Sequence, residues 1–366
     1  MLARPLPASR HAMLKKSLPR CVGPSPVSLK MGETQVKEEM IVLPGDVKVS
    51  RLGVGAWAWG DRVFWGYDDS QEQEAQKGFD KAVACGVNLF DTAEVYGIGT
   101  GWGHSETLCG KFARECADKT DMELVVATKF APLPNRFLDG RKAVARALRA
   151  SLERLGTDQC DLYQLHWPGF FADRQFWDGL ADAYDAGLVK SVGVSNYSAK
   201  RLRAVHKLLK ERDIPLATNQ IQYSLLHRTP EMNGVKEACD ELGVKILAYS
   251  PLAQGCLTGR YSSTNLPSGP RGRIFEQRMD KIDPLLSALK RIGEKQGKTC
   301  SQVALNWLIC KDVIPIPGAR NEKQAEENCG ALGWRLSAEE VQELDEVSKS
   351  FVDSSVEFPG MPLAQM

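Results

Sequence analysis

Two hydrophobic periodicities alternate along this chain from about residue 47 onward. Short runs rich in β-branched and aromatic residues are separated by longer segments whose apolar residues recur every three or four positions, as in amphipathic helices. The short runs predict strands at 51–56, 87–92, 123–129, 160–166, 189–195, 216–222, 244–250 and 313–318. The helical spacing is clearest at 71–84, 141–155, 198–212 and 233–242.

Glycines stand where helices should end, at Gly86, Gly156, Gly187 and Gly243, as expected of C-cap residues. Strands that alternate with helices pair in parallel through right-handed crossovers. Eight such units within residues 47–350 predict an α/β fold of the (β/α)8, or TIM-barrel, type in a single domain. A doubly wound sheet is the rival, but it normally carries G-x-G-x-x-G after its first strand, whereas GVGAWAWG (53–60) spaces its glycines differently.

Two additions to the barrel are predicted. A connection of residues 251–282 follows the seventh strand, and a connection of this length in a compact domain indicates a functional loop. An extra C-terminal helix begins at Ser337 with the capping box Ser337-Ala-Glu-Glu340. We assign 33–46 to a lead-in and 351–366 to a C-terminal tail.

The composition is that of an ordinary globular protein, with 43% hydrophobic and 25% charged residues and a net charge of +1. This balance argues against a nucleic-acid binder, and no apolar run approaches the roughly 18 residues of a membrane span. The ten cysteines are scattered without a C-x-x-C pair, so we predict neither a disulfide framework nor a metal site. Cys256 is interpreted as a small packing residue, with a redox role left open.

Residues 1–32 contain six Lys or Arg and no acidic residue, and Glu33 is the first acid. A basic, acid-free leader without an apolar segment predicts an organelle transit peptide rather than a secretory signal. The alternative is an unprocessed tail of a cytoplasmic protein.

Chemistry-bearing side chains follow three consecutive predicted strands. Asp91 ends the second strand, Lys129 the third and His166 the fourth, and Tyr96 lies in the loop after the second. Because active sites of such barrels lie at the C-terminal ends of the strands, the four should share one rim. An ammonium beside a phenol should bring the phenol pKa toward neutrality, and a carboxylate should hold the ammonium. Together with a histidine that orients a carbonyl oxygen, the set suits carbonyl reduction, with Tyr96 as the proton donor.

At these residues the chain resembles the aldo-keto reductase superfamily. The matching blocks, in order over roughly residues 47–350, are NLFDTAEVYG (88–97), VVATKF (125–130), DLYQLHWPG (161–169), VGVSNYS (192–198), NQIQYSLLHR (219–228), AYSPLAQGCLTGRY (248–261) and VIPIPGARNEKQAEEN (313–328). Within the superfamily, GAWAWG, PSGPRGRIF and ALGW are most similar to plant and algal plastid members, a group that includes pyridoxal reductases. This favours a chloroplast over a mitochondrion.

The resemblance implies an NADP-dependent enzyme and assigns residue roles. Tyr96 would be the general acid, Lys129 its partner, Asp91 the carboxylate that holds Lys129, and His166 the carbonyl orienter. Ser195, Asn196 and Gln220 would hold the nicotinamide amide, and Tyr249 would stack on the ring. Ser250, Leu252 and Gln254 would close over the pyrophosphate.

The block from Gly318 opens the last barrel helix, whose N-terminus favours an anion. The resemblance places Arg320 against the 2′-phosphate of NADPH, with Gln324 and Asn328 on the adenine side. We therefore expect NADPH/NADP+ rather than NAD(H).

Trp57, Trp65, Phe130 and Trp167 lie in or near the strand-end loops and predict an apolar, aromatic substrate pocket. The predicted function is reduction of a small-molecule aldehyde or ketone, with pyridoxal as one candidate substrate. The alternative is a slowly reacting regulatory module that binds NADPH, because some superfamily members are auxiliary subunits of potassium channels. The oligomeric state stays open.

Overall fold

The computed structural model describes residues 40–349, except 118, 263, 267–274 and 276–278. The predicted leader (1–32) and tail (351–366) lie outside the described residues. None of the described helices is long and apolar enough to cross a membrane.

Eight parallel strands form one sheet in which each strand pairs with its neighbours in chain order. They are β3 (Gly53–Gly55), β4 (Leu89–Asp91), β5 (Val125–Phe130), β6 (Cys160–Leu165), β7 (Val189–Ser195), β8 (Leu216–Gln222), β9 (Lys245–Tyr249) and β10 (Ile314–Pro315). The first and last strands meet where the Gly55 amide donates to the Pro317 carbonyl oxygen at 3.0 Å, and Gly55 also bridges Gly318. The predicted barrel is confirmed.

Helices surround the strands. Those in the described residues are α1 (Glu72–Ala84), α2 (His104–Ala117), α3 (Arg141–Leu155), α4 (Asp173–Asp185), α5 (Ala199–Lys210), α6 (Thr229–Met232), α7 (Val235–Leu242), α8 (Met279–Gln296), α9 (Cys300–Cys310), α10 (Glu322–Cys329) and α11 (Ala338–Ser348). The four glycines predicted to end helices all have positive φ, between 67° and 87°. This left-handed conformation costs glycine little, which is why the helices stop there.

A hairpin that the sequence analysis did not predict covers the end of the barrel at which the parallel strands begin. Strands β1 (Ile41–Leu43) and β2 (Val47–Val49) pair antiparallel, and their inward residues join a core cluster with Leu89 and Val125, near the starts of two barrel strands. The predicted lead-in (33–46) therefore includes a strand of the folded domain. The alternating apolar and polar pattern of IVL and VKV was the available signal.

The additions to the barrel are also present. Ser337 caps α11 through a reciprocal pair: its hydroxyl accepts from the Glu340 amide at 3.2 Å, and its own amide donates to Glu340 Oε2 at 3.0 Å. Glu340 also pairs with Lys295 Nζ at 2.8 Å, which joins α11 to α8. The connection after β9 contains a 3-10 helix (Ala253–Thr258) and then leads into α8.

Candidate active site

A buried ion pair lies at the end of the barrel where the parallel strands finish, which we call the upper rim. Asp91, the last residue of β4, accepts a hydrogen bond from Lys129 Nζ at 2.6 Å, and both side chains are almost fully buried (3% and 0% exposed). Lys129 also donates to the Thr92 carbonyl oxygen at 2.6 Å. Parallel pairing of β4 with β5 brings these two positions together. A buried charge is tolerated only when it is paired and hydrogen-bonded in this way.

The second oxygen of Asp91 is held by side chains of more distant strands. Asp91 Oδ1 accepts from Gln220 Nε2 at 2.7 Å and from Gln164 Nε2 at 3.3 Å. The Thr218 hydroxyl in turn donates to Gln164 Oε1 at 3.2 Å. Sequence reasoning did not single out Gln164 or Thr218, although both are polar residues inside apolar strands. The sequence analysis assigned Gln220 to the nicotinamide amide, whereas in this structure the side-chain nitrogen of Gln220 donates to Asp91.

Tyr96 lies beside this ion pair. Lys129 Nζ is 4.9 Å from the centroid of the Tyr96 ring. The His166 ring meets the tyrosine edge-on at 5.6 Å, and Trp57 stacks near it with centroids 6.2 Å apart. The four residues predicted for one rim are therefore brought together.

Burial controls the protonation of these groups. It raises the pKa of Tyr96 well above its ordinary value, and the charge of Asp91 raises that pKa further. Burial lowers the pKa of Lys129, and Asp91 opposes this shift. Burial also lowers the pKa of His166 well below its usual range, and Lys129 adds to this. The predicted lowering of the Tyr96 pKa is thus wrong for this structure, because the lost hydration of the phenolate dominates. Tyr96 keeps its proton at neutral pH, and His166 is uncharged.

Polar side chains at the ends of β7 and β9 form a second group beside the tyrosine. The Ser195 hydroxyl donates to the Gln220 carbonyl oxygen at 2.8 Å. Asn196, held at a φ of 62°, donates to the His166 carbonyl oxygen at 3.2 Å and to Ser195 Oγ at 3.1 Å. The Tyr249 hydroxyl donates to Asn196 Oδ1 at 3.0 Å. Ser195 and Asn196, the pair predicted to hold the nicotinamide amide, are therefore bonded to each other, and Asn196 is also hydrogen-bonded to the His166 backbone and the Tyr249 side chain.

The loop after β9 curves over the same rim. Ser250 and Gln254 have positive φ values of 51° and 56°, so the chain turns tightly here. Ser250, Leu252 and Gln254 all line the cleft. Gln254 Oε1 is buried and has no hydrogen-bond partner among the described residues. Cys256, in the same loop, is buried in the core.

Helix α10 borders the far end of the cleft. Its N-cap Asn321 accepts from the Gln324 amide at 3.0 Å, and Gln324 Oε1 accepts from the Arg320 amide at 2.9 Å. Asn328 Nδ2 donates to the Gly318 carbonyl oxygen at 3.2 Å. The Arg320 guanidinium is exposed and lies 6.0 Å from the centroid of the Trp65 ring.

These groups line one cleft of about 500 Å³. Every residue predicted for the site lines it except Lys129, which lies behind Asp91, and Phe130. The assignment of Phe130 to the pocket is wrong. Successive side chains of β5 point to opposite faces, so that Lys129 faces the barrel interior and Phe130 packs outward against Phe176 of α4, with centroids 5.0 Å apart.

Apolar residues from the strand-end loops supply the rest of the wall near Tyr96. Trp57, Trp65 and Trp167 lie there as predicted. Trp102, another aromatic residue of these loops, lines the cleft too, as do Val95, Ile98 and Leu133, which the sequence analysis did not assign. Their only signal was their position in these loops.

Comparison with known proteins gives consistent matches over the barrel. The model of the aldo/keto reductase family matches residues 51–349. The chain is 46% identical to the chloroplastic pyridoxal reductase of Arabidopsis thaliana over 319 residues, which cover 86% of this chain and 87% of that protein. It superposes on a Gluconobacter oxydans glycerol dehydrogenase with a TM-score of 0.72 at 26% identity, covering 88% of this chain and 98% of that one. A Klebsiella pneumoniae aldo-keto reductase solved with NADPH gives a TM-score of 0.66 at 26% identity, covering 86% and 96%.

The depressed pKa of His166 predicts a specific pH dependence of stability. Below the ordinary histidine pKa of 6.5, the unfolded chain binds a proton that the folded imidazole does not, so the wild type loses stability as pH falls. Replacing His166→Gln removes this contribution, and the wild type should lose up to about 1.4 kcal/mol per pH unit relative to the variant. Urea unfolding between about pH 5 and 7.5 measures this. Parallel curves for the two proteins would show that folded His166 does take up a proton.

Proposed function

The chain belongs to the aldo/keto reductase family, and we propose that it reduces an aldehyde or ketone to the alcohol with NADPH. The observation that carries this proposal is the environment of Tyr96. A phenol that keeps its proton lies in an apolar cleft, next to a buried Lys129–Asp91 pair and an uncharged His166.

The protein side of the reaction is proton transfer and orientation. Tyr96 Oη donates its proton to the carbonyl oxygen as that oxygen gains negative charge. Lys129 stabilises the phenolate left behind, and Asp91 keeps the ammonium charged and in place. A neutral imidazole has one N–H to donate, so His166 orients the carbonyl oxygen without competing as an acid. Asp91 is in turn fixed by two glutamine side chains, which leaves this arrangement little freedom.

The residues of the cleft fit NADPH. The buried Gln254 Oε1 has no partner among the described residues and can accept a hydrogen bond from a ligand. Ser195 and Asn196 present polar groups beside Tyr96, while Tyr249 offers a ring. Ser250 and Leu252 lie on the loop that would cover a pyrophosphate. When bound, NADPH supplies the hydride that reduces the carbonyl carbon.

The far end of the cleft supports NADPH over NADH. Arg320 is exposed and directly precedes Asn321, the N-cap of α10, where the helix dipole favours an anion. A guanidinium pairs with phosphate through two parallel hydrogen bonds. We assign Arg320 to the 2′-phosphate and Gln324 and Asn328 to the adenine side.

The wall near Tyr96 supports an aromatic aldehyde as substrate. Trp57, Trp65, Trp102 and Trp167 offer flat apolar surfaces, Leu133 adds an aliphatic one, and none of these side chains carries a charge. Pyridoxal has a planar ring with an aldehyde, and the plant relative with 46% identity is named a pyridoxal reductase. We therefore propose pyridoxal as the substrate to test first.

A plastid location is proposed on the same relative, which is named chloroplastic, and on the basic, acid-free leader. A fluorescent protein fused to residues 1–40 should enter plastids of plant cells. A fusion that stays in the cytosol would exclude the transit peptide.

The reaction is tested by following NADPH consumption with pyridoxal, an aromatic aldehyde, a short aliphatic aldehyde and methylglyoxal. We expect turnover of pyridoxal and of the aromatic aldehyde. Replacing Tyr96→Phe removes the proton donor and should lower kcat by about 10²- to 10⁴-fold while NADPH still binds. Tyr184→Phe, in α4 away from the cleft, is the matched control and should keep full activity.

The outcomes separate the alternatives. Substantial activity of the Tyr96→Phe variant would remove the role given to Tyr96. Tight NADPH binding by the wild type without turnover of any of these carbonyl compounds would contradict the reductase and favour a regulatory module that binds NADPH.

The assignment of Arg320 to the 2′-phosphate predicts a selective loss of affinity for NADPH. Replacing Arg320→Met removes a charge-assisted contact to the 2′-phosphate and should raise the Kd of NADPH by about 10- to 100-fold, with little change for NADH. Lys323→Met is the matched control, because Lys323 is an exposed cation in the first turn of α10 that does not line the cleft. Equal losses for both cofactors in the Arg320 variant, measured by fluorescence titration, would rule out the phosphate contact.

A further inference from the structure

Helix α1 lies against helix α10, the helix that borders the cofactor end of the cleft. Their backbones meet at Gly78, where an added Cβ would lie 3.1 Å from the carbonyl carbon and oxygen of Asn321. Further along both helices, Lys81 Nζ pairs with Glu326 Oε1 at 2.8 Å. The contacts advance toward the C-terminus on both helices, so the two helices run parallel and in register.

The same register brings two cysteines together at the far end of the pair. Cys85 directly follows the last residue of α1, four positions after Lys81, and Cys329 ends α10, three positions after Glu326. The register of the two helices therefore places the two side chains next to each other. Burial raises the pKa of the Cys329 thiol, and the neighbouring Cys85 side chain raises it further. Cys85 is exposed to solvent, whereas Cys329 is only 9% exposed.

We propose that Cys85 and Cys329 form a reversible disulfide when the protein meets a peroxide, and that this bond weakens NADPH binding. The exposed Cys85 is the sulfur that a peroxide reaches first. Cys329 is then the resolving thiol, held against Cys85 by helix packing.

The reaction balances with one peroxide for each disulfide. The Cys85 thiolate attacks a peroxide oxygen, the O–O bond breaks, and Cys85 becomes a sulfenic acid with release of the first water. The Cys329 sulfur then attacks the Cys85 sulfur, forming the S–S bond and releasing the second water. The two sulfurs together lose two electrons and two protons, and a dithiol reductant reverses the change by thiol–disulfide exchange.

The link to NADPH rests on the function proposed above. Asn328 precedes Cys329, and its side chain donates to the Gly318 carbonyl oxygen at 3.2 Å. A disulfide requires the two sulfurs to approach to about 2.05 Å, closer than any contact between thiols. This pull acts on the last turn of α10 and shifts Asn328, which was assigned to the adenine side of NADPH.

The first test is the disulfide itself, read without cofactor. The full chain is treated with hydrogen peroxide and digested without reduction, and the peptides are identified by mass spectrometry. We expect a linked pair containing Cys85 and Cys329 that dithiothreitol separates. Cys85→Ser should abolish the pair, and Cys300→Ser, which removes a partly exposed cysteine elsewhere, should leave it unchanged. Cys85 oxidised to a sulfinic acid without linkage, or both thiols left reduced, would overturn the disulfide.

The second test is the coupling to NADPH, measured by fluorescence titration before and after peroxide. Oxidised wild type and Cys300→Ser should bind NADPH at least about fivefold more weakly and recover with dithiothreitol, while Cys85→Ser should not respond. An unchanged Kd in the linked protein, or an equal loss in Cys85→Ser, would overturn the coupling. Reduced protein that does not bind NADPH contradicts the proposed function instead, and leaves the disulfide result standing.

Discussion

The buried ion pair between Lys129 and Asp91 is the constraint on which the upper part of the barrel depends. Removing two charges from water costs several kcal/mol for each ion, and the attraction between them offsets this only with good geometry and further hydrogen bonds. Asp91 receives these bonds from Gln164 and Gln220, and Lys129 gives one to the Thr92 carbonyl oxygen. Four of five consecutive strands, β4, β5, β6 and β8, thus contribute a group to the pair or its supports.

This constraint also explains the protonation states. The apolar surroundings that hold the ion pair remove water from Tyr96 and His166, so the phenol keeps its proton and the imidazole stays neutral. A neutral phenol beside an ammonium can give up its proton when an oxyanion forms, because the ammonium then stabilises the phenolate. A high resting pKa is therefore compatible with proton donation at the moment of reaction.

Strand ends and helix ends were predictable from the sequence because local chemistry determines them. Asp91 and His166 follow apolar runs, and the predicted cap glycines have the left-handed φ that ends a helix. Side-chain direction was less accessible: Lys129 and Phe130 are neighbours, yet a shift of one residue sends a strand side chain to the other face of the sheet. The pKa direction of Tyr96 was missed because it depends on burial by loops that are distant in sequence.

Helix α10 joins the closure of the barrel to the end of the cleft where we propose that NADPH binds with its adenine. Its start is fixed: Trp59 Nε1 donates to the Ala319 carbonyl oxygen at 2.8 Å, the Asn321 side chain caps the helix, and Gly78 of α1 allows backbone contact there. Its end is held by the hydrogen bond from Asn328 to the Gly318 carbonyl oxygen, by Gln302 Nε2 donating to the Glu327 carbonyl oxygen at 3.1 Å, and by the ion pair of Glu326 with Lys81. In the disulfide form that we propose, displacement at this end would change the position of Asn328 while the capped start stays in place. A disulfide at Cys329 would therefore move Asn328, which we assign to the adenine of NADPH, and leave Arg320, which we assign to the 2′-phosphate, in place.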